Sequence, residues 1–573
     1  MPRTAPHAVS DGPAELVILG ASVVTQDPKA NDRTLQPKDV APQATAVAIR
    51  SGRIVAVGSD EGIREWIDPD LTQVVEARGR TLVPGFVESH GHLTGLGSLL
   101  MELDLTAARS WSEVVTAVAE KAKTVAPGQW IIGRGWHQSL WDQPPMPNVE
   151  GYPLHDDLSA ATPDHPVFLL HRSGHASLAN AEAMRLARVN SATKDPEGGE
   201  ILRGTRSEPT GIFRETASQF IRQAYEASRK EMTRAEIEAE LDQQVLLAQE
   251  KCFQVGVTTF VDAGITPDLA MHYLQMAERG KLRLPLWLML RDSNETLSRE
   301  IPKLRQVWPD RPTRLILGGV KQMADGALGS HGAWLLEPYA DLPQSEGLVV
   351  TPLETIERAA EICFEHDLQL CVHAIGDRAN REVLNLYEPY VQRAKAESRD
   401  LRWRIEHAQH LHPDDLPRFS ELGVIASMQS IHATSDGPFV VERIGTKRAR
   451  QGAYAWRSLL EHGTIIANGS DTPVEPIDPL LGFASAVTRK CRDGQVFFGE
   501  QAMSREQALR SYTSDAAFAI GQESEFGSIG VGKWADLVLL SGDLMQCSDE
   551  KLAEIQVEMT WVEGDLVYER AAD

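Results

Sequence analysis

Apolar and polar positions along the chain follow two alternating rhythms. Apolar runs bounded by turn residues recur at 81–90, 256–262, 283–291, 313–322, 368–375, 401–407, 423–429 and 463–470; their length and content predict buried strands. Between them, stretches such as Arg234 to Gln254, Thr355 to His366, Arg378 to Ala394 and Pro413 to Leu422 place apolar residues three and four apart with charges on the other side. That spacing predicts amphipathic helices. Alternation of the two predicts an α/β fold with a parallel sheet. Eight repeats fit a (βα)8 TIM barrel, whose active sites lie at the carboxyl ends of the strands, and the periodicity alone suits a doubly wound open sheet equally well.

Both ends of the chain have a different character. Glu15 to Leu19, Thr45 to Ile49 and Arg53 to Val57 near the start, and Ala535 to Leu540, Val557 to Val562 and Leu566 to Tyr568 near the finish, are short β-rich runs. Neither set is large enough to be stable alone. One small β-sandwich made from residues 1–80 and 526–573, enclosing a barrel over 81–525, is the economical arrangement. The stretch from about 98 to 225 is too long for a loop and carries Trp111, Trp130, Trp136 and Trp141, so it is expected to be a subdomain inserted after the first barrel strand.

Composition narrows the partners. Lys and Arg total 57 against 81 Asp and Glu, a net charge of −24, which repels nucleic acid and anionic membrane surfaces. The opening Met1 to His7 has no apolar signal core, and no run approaches the ~20 apolar residues of a membrane span. A cytoplasmic location is expected, and a homodimer is the default assembly. Cys252, Cys363, Cys371, Cys491 and Cys547 are odd in number and scattered, which disfavours a disulfide framework or a CxxC zinc site. A metal would have to use histidine and oxygen ligands.

Such residues stand at the ends of the predicted strands. His90-Gly91-His92 closes the first; residues two apart on a strand share a face, so both imidazoles can meet at one point. Lys321 follows Leu315 to Val320, His373 follows Leu370 to Val372, His407 follows Arg404 to Glu406, and Asp471 follows Ile465 to Ser470. Each alone reads as readily as a satisfied core histidine, a solvated lysine or a turn aspartate. Five strands delivering such groups to one depth is a different matter.

These pieces together resemble the amidohydrolase superfamily, more closely its YtcJ-like and N-substituted formamide deformylase-like branch, amidohydrolase family 3. The resemblance is carried by Val83-Pro84-Gly85-Phe86-Val87-Glu88-Ser89-His90-Gly91-His92, Gly256-Val257-Thr258-Thr259, Val320-Lys321-Gln322-Met323-Ala324-Asp325-Gly326, Val372-His373-Ala374-Ile375-Gly376-Asp377, Ile405-Glu406-His407-Ala408-Gln409 and Gly469-Ser470-Asp471-Thr472-Pro473. Glu88 departs from the aspartate usual in the family, which bears on its local hydrogen bonding. The resemblance implies one or two divalent ions, Zn2+ first and Mn2+, Fe2+ or Co2+ also admissible. His90 and His92 would hold the more buried ion, His373 and His407 the more exposed one, and Lys321, as N6-carboxylysine, would bridge them. Asp471 would contact the metal and act as general base and acid.

The implied reaction is hydrolysis of a non-peptide carbon–nitrogen bond, in an amide or N-substituted formamide, by metal-bound hydroxide. Alternatives on the same scaffold are an esterase, an isomerase or a non-catalytic metal-binding protein. Trp136, His137, His175, Asp325, Gln409 and Gln429 stand at predicted loop or strand ends and are candidate contacts for a small amide-type substrate. His165, His171, His410, His412 and His432 carry no assignment.

Overall fold

The computed structural model describes residues 12–26, 44–308 and 314–571. Residues 1–7, read above for a leader, and residue 313, the expected start of one strand, lie outside the described residues. By contact density the chain divides into two units, residues 1–96 with 248–573, and Gly97–Leu247.

Eight parallel strands in sequential order form the larger unit's core: β1 Phe86–Gly91, β2 Val257–Ile265, β3 Leu286–Leu290, β4 Leu315–Met323, β5 Gln369–Ala374, β6 Arg404–His407, β7 Ile425–Met428 and β8 Ile466–Asn468. Helices including Leu353–Glu365 and Asp377–Ala396 connect them. The fold is a (βα)8 barrel, nearly closed by bonds just past the ends of β8 and β1. Asp471 N–H donates to the His90 carbonyl (2.7 Å), and His92 N–H to the Thr472 carbonyl (2.8 Å). At the seam, Glu88 accepts from the His90 N–H, the Ser470 N–H and the Ser470 hydroxyl. Gly469 is required there, because a Cβ would lie 2.2 Å from Glu88 Oε1 and 2.6 Å from His90 N.

The apolar run at 81–90 is two strands. Thr81–Pro84 pairs antiparallel with Leu537–Leu540, in register Leu539 to Leu82, and β1 starts only at Phe86. The break falls at Gly85, where a Cβ would meet Thr258 Oγ1 at 2.1 Å. Thr81–Pro84 therefore belongs with the terminal sheets and not with the barrel. Those sheets are a four-stranded one ordered Arg53–Gly58, Ala46–Arg50, Leu16–Leu19, Gln73–Glu76 and a five-stranded one ordered Ser22–Val23, Thr81–Pro84, Leu537–Leu540, Val557–Val562, Asp565–Glu569. Ile18, Val47, Ile54, Leu82, Leu537, Leu539 and Trp561 fill the space between them. Buried aliphatic side chains of this kind stabilise by roughly 1.5–3 kcal/mol each. A buried pair, Arg314 to Asp536 at 2.5 and 2.9 Å, ties the start of β4 to the turn into this layer.

Gly97–Leu247 has its own six-stranded sheet, ordered Gly199–Arg203, Pro209–Glu215, Ala176–Ala179, Val167–His171, Ile131–Trp136, Leu103–Asp104. Its core includes Trp111, Trp136, Trp141, Leu169 and Leu178. The unit runs past the expected end near 225 because helix Gln219–Lys230 packs into it through Ile221 and the next helix, Arg234–Gln254, begins within it. No helix among the described residues is long and apolar enough to cross a membrane.

Candidate metal centre

The barrel brings His90, His92, Lys321, His373, His407 and Asp471 together at its carboxyl end. Ligand atoms of His90, His407 and Asp471 all lie within 4.8 Å of one another. His90 Nε2 is 3.2 Å from Lys321 Nζ and 3.6 Å from Asp471 Oδ1. His92 Nε2 is 3.2 Å from the same carboxylate oxygen, and the His373 ring centres 4.4 Å from that of His407. The tightest triad takes one imidazole from each pair the resemblance implies. His407 and Asp471 adopt left-handed backbone, φ 77° and 58°, conformations that cost of order 1–3 kcal/mol and gather at functional sites. Here they turn the chain sharply at the residues whose side chains must face inward.

Burial sets the charge states. Desolvation, with the neighbouring Lys321 charge, lowers His90 to about 4 and His373 to about 3, and burial holds His407 well below the ordinary range. Burial also lowers Lys321. Desolvation alone would raise Asp471, but the hydrogen bond from His92 and the imidazoles around it hold it well below the usual carboxylate range. The result is neutral imidazoles, each with a lone pair, around an ionised carboxylate. His373 Nε2 is buried and makes no hydrogen bond, with Asp325 Oδ1 3.6 Å away. An orphaned imidazole nitrogen beside two others and a carboxylate is a donor set that fits a divalent cation.

These shifts predict a pH dependence. The folded values of His90 and His373 lie below the unfolded value of 6.5, so the unfolded chain takes up protons first as pH falls, and their contribution to stability rises with pH over this interval. The raised carboxyl of Glu88 acts in the opposite sense, losing stability as pH climbs toward about 8, so the imidazole share is read as a difference: in metal-stripped protein the stability gap between wild type and His90→Phe/His373→Phe is expected to shift in favour of the wild type by a few kcal/mol between about pH 4 and pH 6.5. Urea midpoints of both proteins at half-unit steps measure this; a gap that does not change with pH would mean the imidazoles are not desolvated.

Two supporting residues, Glu406 and Arg404, escaped sequence reading, and a third, Glu88, was singled out there only for its local hydrogen bonding. Glu406, fully buried, lies 2.5 Å from His90 Nδ1. Arg404, also fully buried, donates to Glu406 through Nε (2.7 Å) and Nη2 (3.2 Å), and to the Ser89 carbonyl and Ser427 hydroxyl. Burial would raise Glu406, but the Arg404 charge and the hydrogen bond with His90 hold it well below the ordinary range. The carboxylate therefore fixes the proton of His90 on Nδ1 and leaves Nε2 free as a ligand, an arrangement in which the outer partner is worth about 10–100-fold in metal affinity. Glu406→Gln is expected to weaken zinc binding by about that factor in a competition titration; unchanged affinity would remove Glu406 from this role. The signal was available: opposite charges two apart in an apolar run share one face of a strand. The third is Glu88, whose carboxyl is pushed up to about 8 by burial while its hydrogen bonds to Ser470 pull the other way.

The candidate substrate contacts fare differently. Asp325 is buried and accepts the N–H groups of Trp334 (2.8 Å), Ile375 (2.9 Å) and Gly376 (2.8 Å). It braces the loops after β4 and β5, and its Oδ1 also lies 3.6 Å from His373 Nε2. Trp136 is core within its own unit, its Nε1 donating to the Leu169 carbonyl. Gln429 lies beneath His407, its Oε1 2.7 Å from Nδ1, which makes it a support for that imidazole. Gln409 is buried with its Nε2 3.2 Å from His432 Nδ1. In the inserted unit, His137 accepts from the Ser139 N–H, and the exposed His175 lies beside Glu215.

The family model described as "Amidohydrolase family" matches residues 73–568. The YtcJ protein of Bacillus subtilis (strain 168) is 30% identical over 92% of this chain and 96% of its own length. N-substituted formamide deformylase of Arthrobacter pascens is 28% identical over 94% of this chain and 97% of its own. Among solved structures, an uncharacterized metal-dependent hydrolase from Pyrococcus furiosus superposes with a TM-score of 0.69 at 26% identity, covering 93% of this chain and all of that one. With a family match over most of its length and a metal-capable cage at the mouth of its barrel, this chain belongs to the amidohydrolase family.

Proposed function

We propose that the protein is a metal-dependent hydrolase that cleaves a non-peptide carbon–nitrogen bond in a small amide, with N-substituted formamides as the leading class. The observation that carries this reading is the approach of His90, His407 and Asp471 ligand atoms to within 4.8 Å of one another, with the Lys321 amine 3.2 Å from His90 Nε2. Similarity to N-substituted formamide deformylase over nearly the full length of both chains supports the bond type.

His90, His92, His373, His407 and Asp471 would hold one or two ions, zinc being the cation best suited to imidazole and carboxylate donors. A divalent ion there would supply Lewis acidity, polarising a carbonyl and bringing the pKa of water down toward ~7. The remaining chemistry is the chain's own. Asp471, ionised at neutral pH, accepts a proton from the attacking water and returns it to the leaving nitrogen. Lys321 cannot ligate as an ammonium. Burial favours its neutral amine, the form that carbon dioxide carboxylates with loss of a proton, and the resulting carbamate, one negative charge shared by two oxygens, would let Lys321 help to hold the ions.

Zinc- and manganese-loaded protein offered formamides, N-acyl amines, lactams and esters in 18O-labelled water is expected to release amine and labelled acid from a formamide or amide. Turnover confined to esters would overturn the bond assignment, and product without label would overturn hydrolysis.

A further inference from the structure

Helix Ser430–Gly452 begins directly after β7, and its third residue, His432, lies over the imidazole of His407 with ring centres 6.2 Å apart and planes 18° from parallel. His432 is 7% exposed. One ring nitrogen, Nδ1, lies 3.2 Å from Nε2 of Gln409, a residue held just past His407 by the left-handed turn at His407 and Ala408. The other, Nε2, is shut off from solvent and makes no hydrogen bond within the protein.

A glutamine amide nitrogen can only donate, so Nδ1 of His432 accepts and the proton of the neutral ring resides on Nε2. A buried N–H with no acceptor is costly, and native proteins rarely leave one. The missing acceptor is therefore to be supplied by what occupies the site. Nε2 is not a ligand to a cation, since the proton takes up its lone pair. The ring stacks on that of His407, one of the groups proposed to hold the ion, which puts it in the neighbourhood where bond cleavage is proposed. We infer that His432 Nε2–H donates a hydrogen bond to the acyl oxygen of the substrate, and that Gln409 is a positioning residue that keeps the proton on that nitrogen. This rests on the amide-hydrolase reading above. A donor aimed at oxygen that gains negative charge in the transition state contributes about 10²–10³-fold to turnover.

The test has two arms on the full-length, zinc-loaded protein. In the first, 15N-histidine NMR reads the tautomer of His432 and its response to formate, a probe with an acyl-type oxygen. The proton is expected on Nε2, with that resonance moving on formate addition, and Gln409→Glu, which accepts from Nδ1, is expected to transfer the proton to Nδ1. A proton on Nδ1 in the wild type, or an Nε2–H indifferent to saturating formate, overturns the inference. In the second arm, His432→Phe is expected to lower kcat by about 10²-fold or more with KM changed only a few-fold and zinc content intact. His432→Gln, whose amide nitrogen falls near the lost Nε2, is expected to restore at least tenfold. Full activity of His432→Phe, or no rescue by the glutamine, also overturns it. A wild type inactive on every amide would sink the proposed function, while the tautomer and the formate response would still decide the role of His432.

Discussion

Lys321→Ala is expected to lose bound metal and turnover together, with activity falling by ~10³-fold or more, the scale seen when a group that stabilises transition-state charge is removed. Lys321 is 3% exposed on β4 and its Nζ sits 3.2 Å from His90 Nε2. It also faces the charges of Glu406 and Asp471. An ordinary ammonium there would compete with a cation for the same donors. A carboxylated amine would instead add negative charge to a cage otherwise made of neutral imidazoles and one carboxylate. If the carbamate is the bridge, short carboxylates such as formate or propionate, supplied at high concentration to Lys321→Ala, should restore part of both metal content and rate. Elemental analysis beside steady-state kinetics tests this, and a fully metallated, fully active Lys321→Ala would remove the lysine from the centre.

The second large effect is on folding. Arg404→Met is expected to destabilise the metal-stripped protein by about 3–5 kcal/mol, because it leaves the Glu406 carboxylate buried without its counter-charge. Both residues are fully buried, and Arg404 is bound on several sides, to Glu406, the Ser89 carbonyl and the Ser427 hydroxyl, with its guanidinium 5.6 Å from the Trp287 ring centre. The double variant Arg404→Met/Glu406→Leu removes both charges and should recover much of that loss while still binding zinc poorly, since His90 has then lost its anchor. Urea unfolding of the single and double variants separates the two contributions; a single variant within about 1 kcal/mol of wild type would show that the pair does not hold the barrel interior together.

What the sequence disclosed follows from which signals are local. The barrel strands were readable because each is an apolar run with a polar residue at its far end, and Lys321, His373, His407 and Asp471 stood out for breaking those runs at one depth. The division at Gly85 was not readable. Thr81 to Glu88 is apolar almost throughout, and only the close approach of Thr258 from β2 reveals where one sheet hands the chain to another. The surroundings of Asp325 and Trp136 were hidden for a related reason: a polar or aromatic residue at a strand end can face a ligand or satisfy backbone groups, and the three N–H donors around Asp325 and the Leu169 carbonyl beside Trp136 come from segments the local sequence does not bring near. Arg404 and Glu406 were readable as a pair two apart on one strand face, but their link to the centre was not, because His90 is 316 residues from Glu406 along the chain. His432 depended likewise on a neighbour brought in by another strand.

Diffraction from zinc-loaded crystals, recorded at the zinc absorption edge, tests the central claim most directly. The account predicts one or two anomalous peaks at the carboxyl end of the barrel, at ~2.0–2.2 Å from imidazole nitrogens of the His90, His92, His373 and His407 set and from an Asp471 oxygen. Zinc bound elsewhere, or a cage that stays without a peak at saturating zinc, would contradict it.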